Sequence, residues 1–137
     1  MSQNPQNAPV YIDGGKVCTG SWANLGPIID ASGSDAVGIW INLDINDSTN
    51  FRVRAVGRLT ATGDDYLMPI RSASASDVKV EGEYIEFNVD ADQKMILEVG
   101  TDQVVPFLQF QVQVGVVGAS AAIVLSAYKT EKYGRVR

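Results

Sequence analysis

Hydrophobic residues in this chain alternate with polar ones at a period of two, and no segment keeps an i, i+3, i+4, i+7 apolar stripe for three turns. A period of two is the period of a β-strand, whose successive side chains point to opposite faces. The stretch "AVGIWINLDI" at 36–45 sets Ile39, Ile41, Leu43 and Ile45 against Trp40, Asn42 and Asp44. "FRVRAVGR" at 51–58 sets Phe51, Val53 and Ala55 against Arg52 and Arg54, and "NDSTN" between the two reads as the turn of a hairpin. "PFLQFQVQVG" at 106–115 is the sharpest case, with Leu108, Phe110, Val112 and Val114 on one face and Gln109, Gln111 and Gln113 on the other.

Further strands are predicted at 16–23, 66–71, 77–81, 84–89, 95–99 and 121–128, the first closed by Asn24, Gly26 and Pro27. The turns between the later ones use Gly82, the Asp90–Asp92 group, Gly100 with Asp102, and Gly115 to Gly118. About eight strands at this spacing, without helical crossovers, predict an all-β, antiparallel β-sandwich or jelly roll with little or no helix. "QNPQN" at 3–7 reads as part of a flexible arm over residues 1–10, residues 11–128 as the domain, and 129–137 as a basic tail.

With 137 residues, one domain of this kind buries ~two-thirds of its unfolded surface without staples. The formal charge of −5 argues against a surface built for nucleic acid or anionic membrane. The tail "KTEKYGRVR" runs the other way: Lys129, Lys132, Arg135 and Arg137 stand against Glu131 alone, which suits docking on an acidic neighbour, with Tyr133 among them. The single cysteine, Cys18, has no partner for an internal disulfide. "MSQNPQNAPV" has neither a basic start nor an apolar run, so a soluble protein made in the cytoplasm is expected. The apolar run from Val112 to Tyr128 is too short and too interrupted for a membrane span.

The chain contains no histidine, which removes serine and cysteine triads and the common zinc and iron sites together. "GASAA" at 118–122 lacks the last glycine of a nucleophile elbow and a base for Ser120. The acids Asp64 and Asp65, or Asp90 and Asp92, sit where turns favour aspartate, and Glu81, Glu83 and Glu86 read as outward strand residues. No catalytic residue, cofactor or small-molecule substrate is therefore expected. "DINDSTN" offers Asp44, Asn46, Ser48 and Asn50 at alternate positions, like half of a calcium loop, but without its glycine and distal glutamate. A polar turn is the simpler reading, and no metal is assigned.

What remains is surface. Trp40 falls on the polar face of its strand, and aromatic residues are enriched at interface cores. Uncharged Gln109, Gln111 and Gln113 read either as a solvated face or as a wet contact with another chain, since amides donate and accept without the desolvation cost of a charge. A second reading is a carbohydrate-binding module stacking a sugar on Trp22, Trp40 or Tyr66, with calcium at 44–50.

The segments "PIIDASGSDAVGIWINLDI", "YLMPI", "EYIEFNVDADQKMILEVGTD" and "VPFLQFQVQVGVVGASAAIVLSAY" follow one another across most of residues 16–128. In this layout the sequence resembles the small cement, or decoration, proteins of tailed-bacteriophage heads, of the jelly-roll type found on short-tailed phage capsids. The resemblance implies a jelly-roll fold and a virion structural role on the capsid exterior. Such a protein binds the assembled shell, bridges major capsid protein subunits as a homodimer or homotrimer, and stiffens the shell against internal DNA pressure. It implies no reaction and no cofactor, and it carries no defined site residues onto this chain.

Overall fold

In a computed structural model, the protein is described over residues 10–44, 49–70, 72–73, 78–81, 84–87, 93–101, 104–116 and 123–133, with side chains described for 18–44, 49–70, 94, 96–101 and 104–115. These residues form antiparallel sheets and no helix. The strands are β1 (Val10–Cys18), β2 (Ala23–Asp30), β3 (Ser34–Asp44), β4 (Thr49–Arg58), β5 (Tyr66–Met68) and β6 (Ser72–Ala73). They continue with β7 (Val78–Glu81), β8 (Tyr84–Phe87), β9 (Gln93–Gly100), β10 (Phe107–Val116) and β11 (Ile123–Tyr133). One sheet, here sheet A, has the order β1-β11-β3-β9-β6; sheet B has the order β2-β10-β4-β8-β7, with β5 also on β4.

The alternation read from the sequence holds in β3, β4 and β10. Ile39, Ile41 and Leu43 from sheet A are buried in one cluster with Phe51, Val53, Leu108, Phe110, Val112 and Val114 from sheet B. Leu25 and Leu97 belong to the same core, each large side chain contributing about 1.5–3 kcal/mol by leaving water. The pairing is different from the expected hairpin. β3 lies between β11 and β9 in sheet A, whereas β4 lies between β10 and β8 in sheet B, so the chain changes sheet between them. A strand with one apolar face is equally served by a hairpin partner or by a distant one, and here the distant ones prevail.

Two boundaries also move. The expected first strand at 16–23 is two strands, and the supposed stop signals Gly26 and Pro27 lie inside β2. Proline is tolerated there because β2 is the edge of sheet B, and Gly26 takes a φ of 74° where the β10–β2 register shifts between Leu108 and Phe110. At the other end, β11 continues to Tyr133, so Lys129 and Lys132 belong to a strand and not to a tail; they pair with Ile39 and Ala36. Backbone pairing asks nothing of side-chain polarity, which is why a charged strand end reads as a tail. Between β2 and β3, Ser34 N–H donates to Ala31 O at 3.0 Å with Gly33 at φ 81°, and Asp30 Oδ1 accepts from Ser32 N–H at 3.0 Å.

Candidate functional site

The three glutamines of β10 are the best-defined polar array on the molecule. β10 pairs with β4 so that Gln113 stands opposite Arg52, Gln111 opposite Arg54, and Gln109 opposite Val56. Each amide oxygen accepts from an arginine of β4: Gln113 from Arg52 Nη1 at 3.3 Å, Gln111 from Arg54 Nε at 2.8 Å, and Gln109 from Arg58 Nη1 at 2.9 Å. Each amide nitrogen donates the other way, to Gly20 O at 2.8 Å, to Asn24 Oδ1 at 3.0 Å and to Gly26 O at 3.0 Å respectively. The last bond satisfies a carbonyl at the β2 irregularity, where the regular ladder is interrupted.

Three parallel rungs thus run from β4 through β10 to β2 and its preceding loop. The Arg54 guanidinium lies over the Trp22 ring at 4.3 Å from its centroid, and Arg58 Nε donates to Asp65 at 2.6 Å as an ion pair. The expectation of glutamines offered to another chain is corrected by this geometry. Gln109 and Gln111 are only 6% and 8% exposed, and both ends of each amide are used inside the molecule. The signal was present in the sequence as Arg52 and Arg54 at the same two-residue spacing as the glutamines. Without knowing that β4 and β10 are neighbours, the two series cannot be matched.

Trp40 is placed as expected, on the outer face of β3, the middle strand of sheet A, and is 50% exposed. Its register neighbours are Ile96 of β9, 37% exposed, and Tyr128 of β11, a backbone position. Asn42 and Asp44 share the face and are exposed.

A second apolar surface was missed by the alternation argument because it is built from strand ends together with loop residues. Leu59, Tyr66 and Val104 are highly exposed and line an open groove of about 310 Å³ with Gly57, Met68, Val105 and Pro106. Arg58, which pairs with Asp65, also lines it. Gly57 forms part of its floor, where a Cβ would come within 2.8 Å of Met68 Sδ.

The remaining candidates do not converge. Trp22, Trp40 and Tyr66 lie beside the glutamine ladder, on the outer face of sheet A and in the end groove, and one face of Trp22 is taken by Arg54. In the proposed calcium loop, Asn46 and Ser48 lie outside the described residues; Asp44 is exposed, and Asn50 holds a left-handed φ of 57°. Among the described residues no three His, Cys, Asp or Glu side chains gather as a metal site. Cys18 is buried. Arg135, Arg137, Ser120, Glu83, Asp90, Asp92 and residues 1–9 of the expected arm fall outside the described residues, as do the side chains of Lys129, Lys132, Tyr133, Glu81 and Glu86. Comparison with protein-family models gives no match, and none of the curated proteins matches the sequence.

Proposed function

We propose that this chain is a non-enzymatic virion structural protein: a jelly-roll cement protein that binds the exterior of a tailed-phage capsid and bridges its major capsid protein subunits. The jelly-roll reading is supported by the strand order, β1-β11-β3-β9 in one sheet and β2-β10-β4-β8 in the other, which a chain produces by crossing from one sheet to the other between most successive strands. The assembly reading is carried by one observation, a half-exposed tryptophan at the middle of a sheet's outer face, with exposed Ile96 beside it. Such a side chain is favoured where another surface removes it from water.

On this reading the protein is made in the host cytoplasm and resides on the capsid. It associates with itself as well as with the shell, and it needs neither cofactor nor metal. Lys132, Arg135 and Arg137 supply a basic end for an acidic capsid surface, with Tyr133 among them. The test is co-sedimentation of the purified chain with emptied or expanded tailed-phage shells, followed by heating of the decorated shells. Binding with a raised disruption temperature is the expected result. Failure to bind every such shell overturns the proposal.

A further inference from the structure

The backbone register of sheet A aligns three rows of positions across the sheet. The central row crosses four strands as Tyr11, Tyr128, Trp40 and Ile96, each the direct partner of the next. Two residues to one side lie Ser126, Asn42 and Lys94; two residues to the other lie Thr130, Gly38 and Glu98. Trp40 and Ile96 are exposed in the central row, and on β9 they are bordered by a lysine on one side and a glutamate on the other, four residues apart.

We infer that the outer face of sheet A is the interface between two copies of this chain, related by a twofold axis that runs along the Tyr11–Ile96 row. Rotation by 180° about that axis keeps each position along the row and exchanges its two sides. Trp40 then meets Trp40 of the second copy. Lys94 meets Glu98 of the second copy, and Glu98 its Lys94, so the one charge arrangement is complementary to itself twice. Asn42 meets Gly38, which has no side chain to obstruct it. An axis along the strands instead leaves both charges of β9 opposite β1 and does not pair them with each other.

The size of the face sets the strength. Four strands at ~4.8 Å and eight residues at ~3.3 Å give a flat footprint of roughly 500 Å² per copy, at the lower limit for a specific interface. The dimer is thus a concentration-dependent one. The inference deepens the self-association in the proposed function and is independent of its capsid component: a chain that dimerises but binds no shell keeps this interface and loses that function.

Sedimentation equilibrium of the full chain over a concentration series reads the dimer directly, with thermal unfolding of every variant as a check on folding. Trp40→Glu is expected to weaken self-association at least about tenfold, equivalent to ~1.4 kcal/mol. Lys94→Glu and Glu98→Lys each weaken it, and the double reversal restores it, because the axis then pairs the same charges with signs exchanged. Lys94 is exposed and Glu98 half-buried, so the cycle stands even if the tryptophan variant misfolds. A chain that stays monomeric at every concentration overturns the inference. So does a dimer indifferent to Trp40→Glu, or a double reversal no better than the single ones. A monomer whose tryptophan fluorescence responds to a glycan panel also overturns it, in favour of a sugar platform.

Discussion

Gln111 accepts a hydrogen bond from Arg54 Nε at 2.8 Å and donates one to Asn24 Oδ1 at 3.0 Å, joining three adjacent strands through a single amide. A carboxylate at this position keeps the acceptor and loses the donor; an apolar side chain loses both. Gln111→Leu is therefore expected to cost about 1–3 kcal/mol, because it removes two part-buried hydrogen bonds, while Gln111→Glu costs about 1 kcal/mol. Urea unfolding distinguishes them as a shift in midpoint at constant slope. Equal midpoints for wild type and Gln111→Leu would show the ladder to be energetically idle.

Gly115 of β10 lies against Asn50 of β4, where an added Cβ would approach Asn50 Cβ to 2.8 Å. Asn50 itself holds a φ of 57°, a conformation that asparagine tolerates better than most residues. Gly115→Ala is expected to destabilise by about 1–3 kcal/mol through overpacking. Replacing Asn50 by glycine removes the obstructing carbon, so the same alanine costs less in that background. A double-mutant cycle measures this coupling, and additive effects would contradict the close approach.

The groove at Leu59, Tyr66 and Val104 is open and apolar, and Val104 itself is 77% exposed and outside the core cluster. Val104→Asp is expected to reduce binding of a hydrophobic reporter dye to the native protein while changing stability by no more than about 0.5 kcal/mol. Fluorescence titration beside thermal unfolding gives both quantities.

Arg58 is held from two sides, by Gln109 and by Asp65 at 2.6 Å, yet the Asp65 side chain is 45% exposed. Asp65→Asn should cost no more than about 1 kcal/mol, and the cost should shrink as salt is added. Phe110→Ala, by contrast, empties a fully buried site between the sheets and is expected to cost about 3–5 kcal/mol at any ionic strength. Unfolding both variants in low and high salt separates the two kinds of interaction.

The inward and outward faces were legible in the sequence because a strand's side-chain period is fixed by its own backbone. Ile39, Ile41 and Leu43 are buried, and Trp40 is exposed, as the alternation required. Which strand lies beside which is set by contacts between residues far apart in the chain, and the same alternation is compatible with many neighbours. That is why residues 36–45 and 51–58 read as a hairpin and are found in different sheets, and why the glutamines read as outward contacts before their arginine neighbours were placed. The groove at Val104 and Leu59 had no periodic signal at all, since loops carry none.

The order of the strands also bears on how the molecule is made. β11 lies between β1 and β3, and β10 lies between β2 and β4, so strands synthesised later fill gaps between strands synthesised earlier. Until residues 107–133 have been synthesised, β1 and β3 have no bridge, nor have β2 and β4, and their apolar faces must wait uncovered. Folding is accordingly a late event that closes both layers together, in the slow regime set by long loop closures. A nascent chain stalled before Phe107 would hold most of the core residues with neither layer complete, and would be a natural client for chaperones.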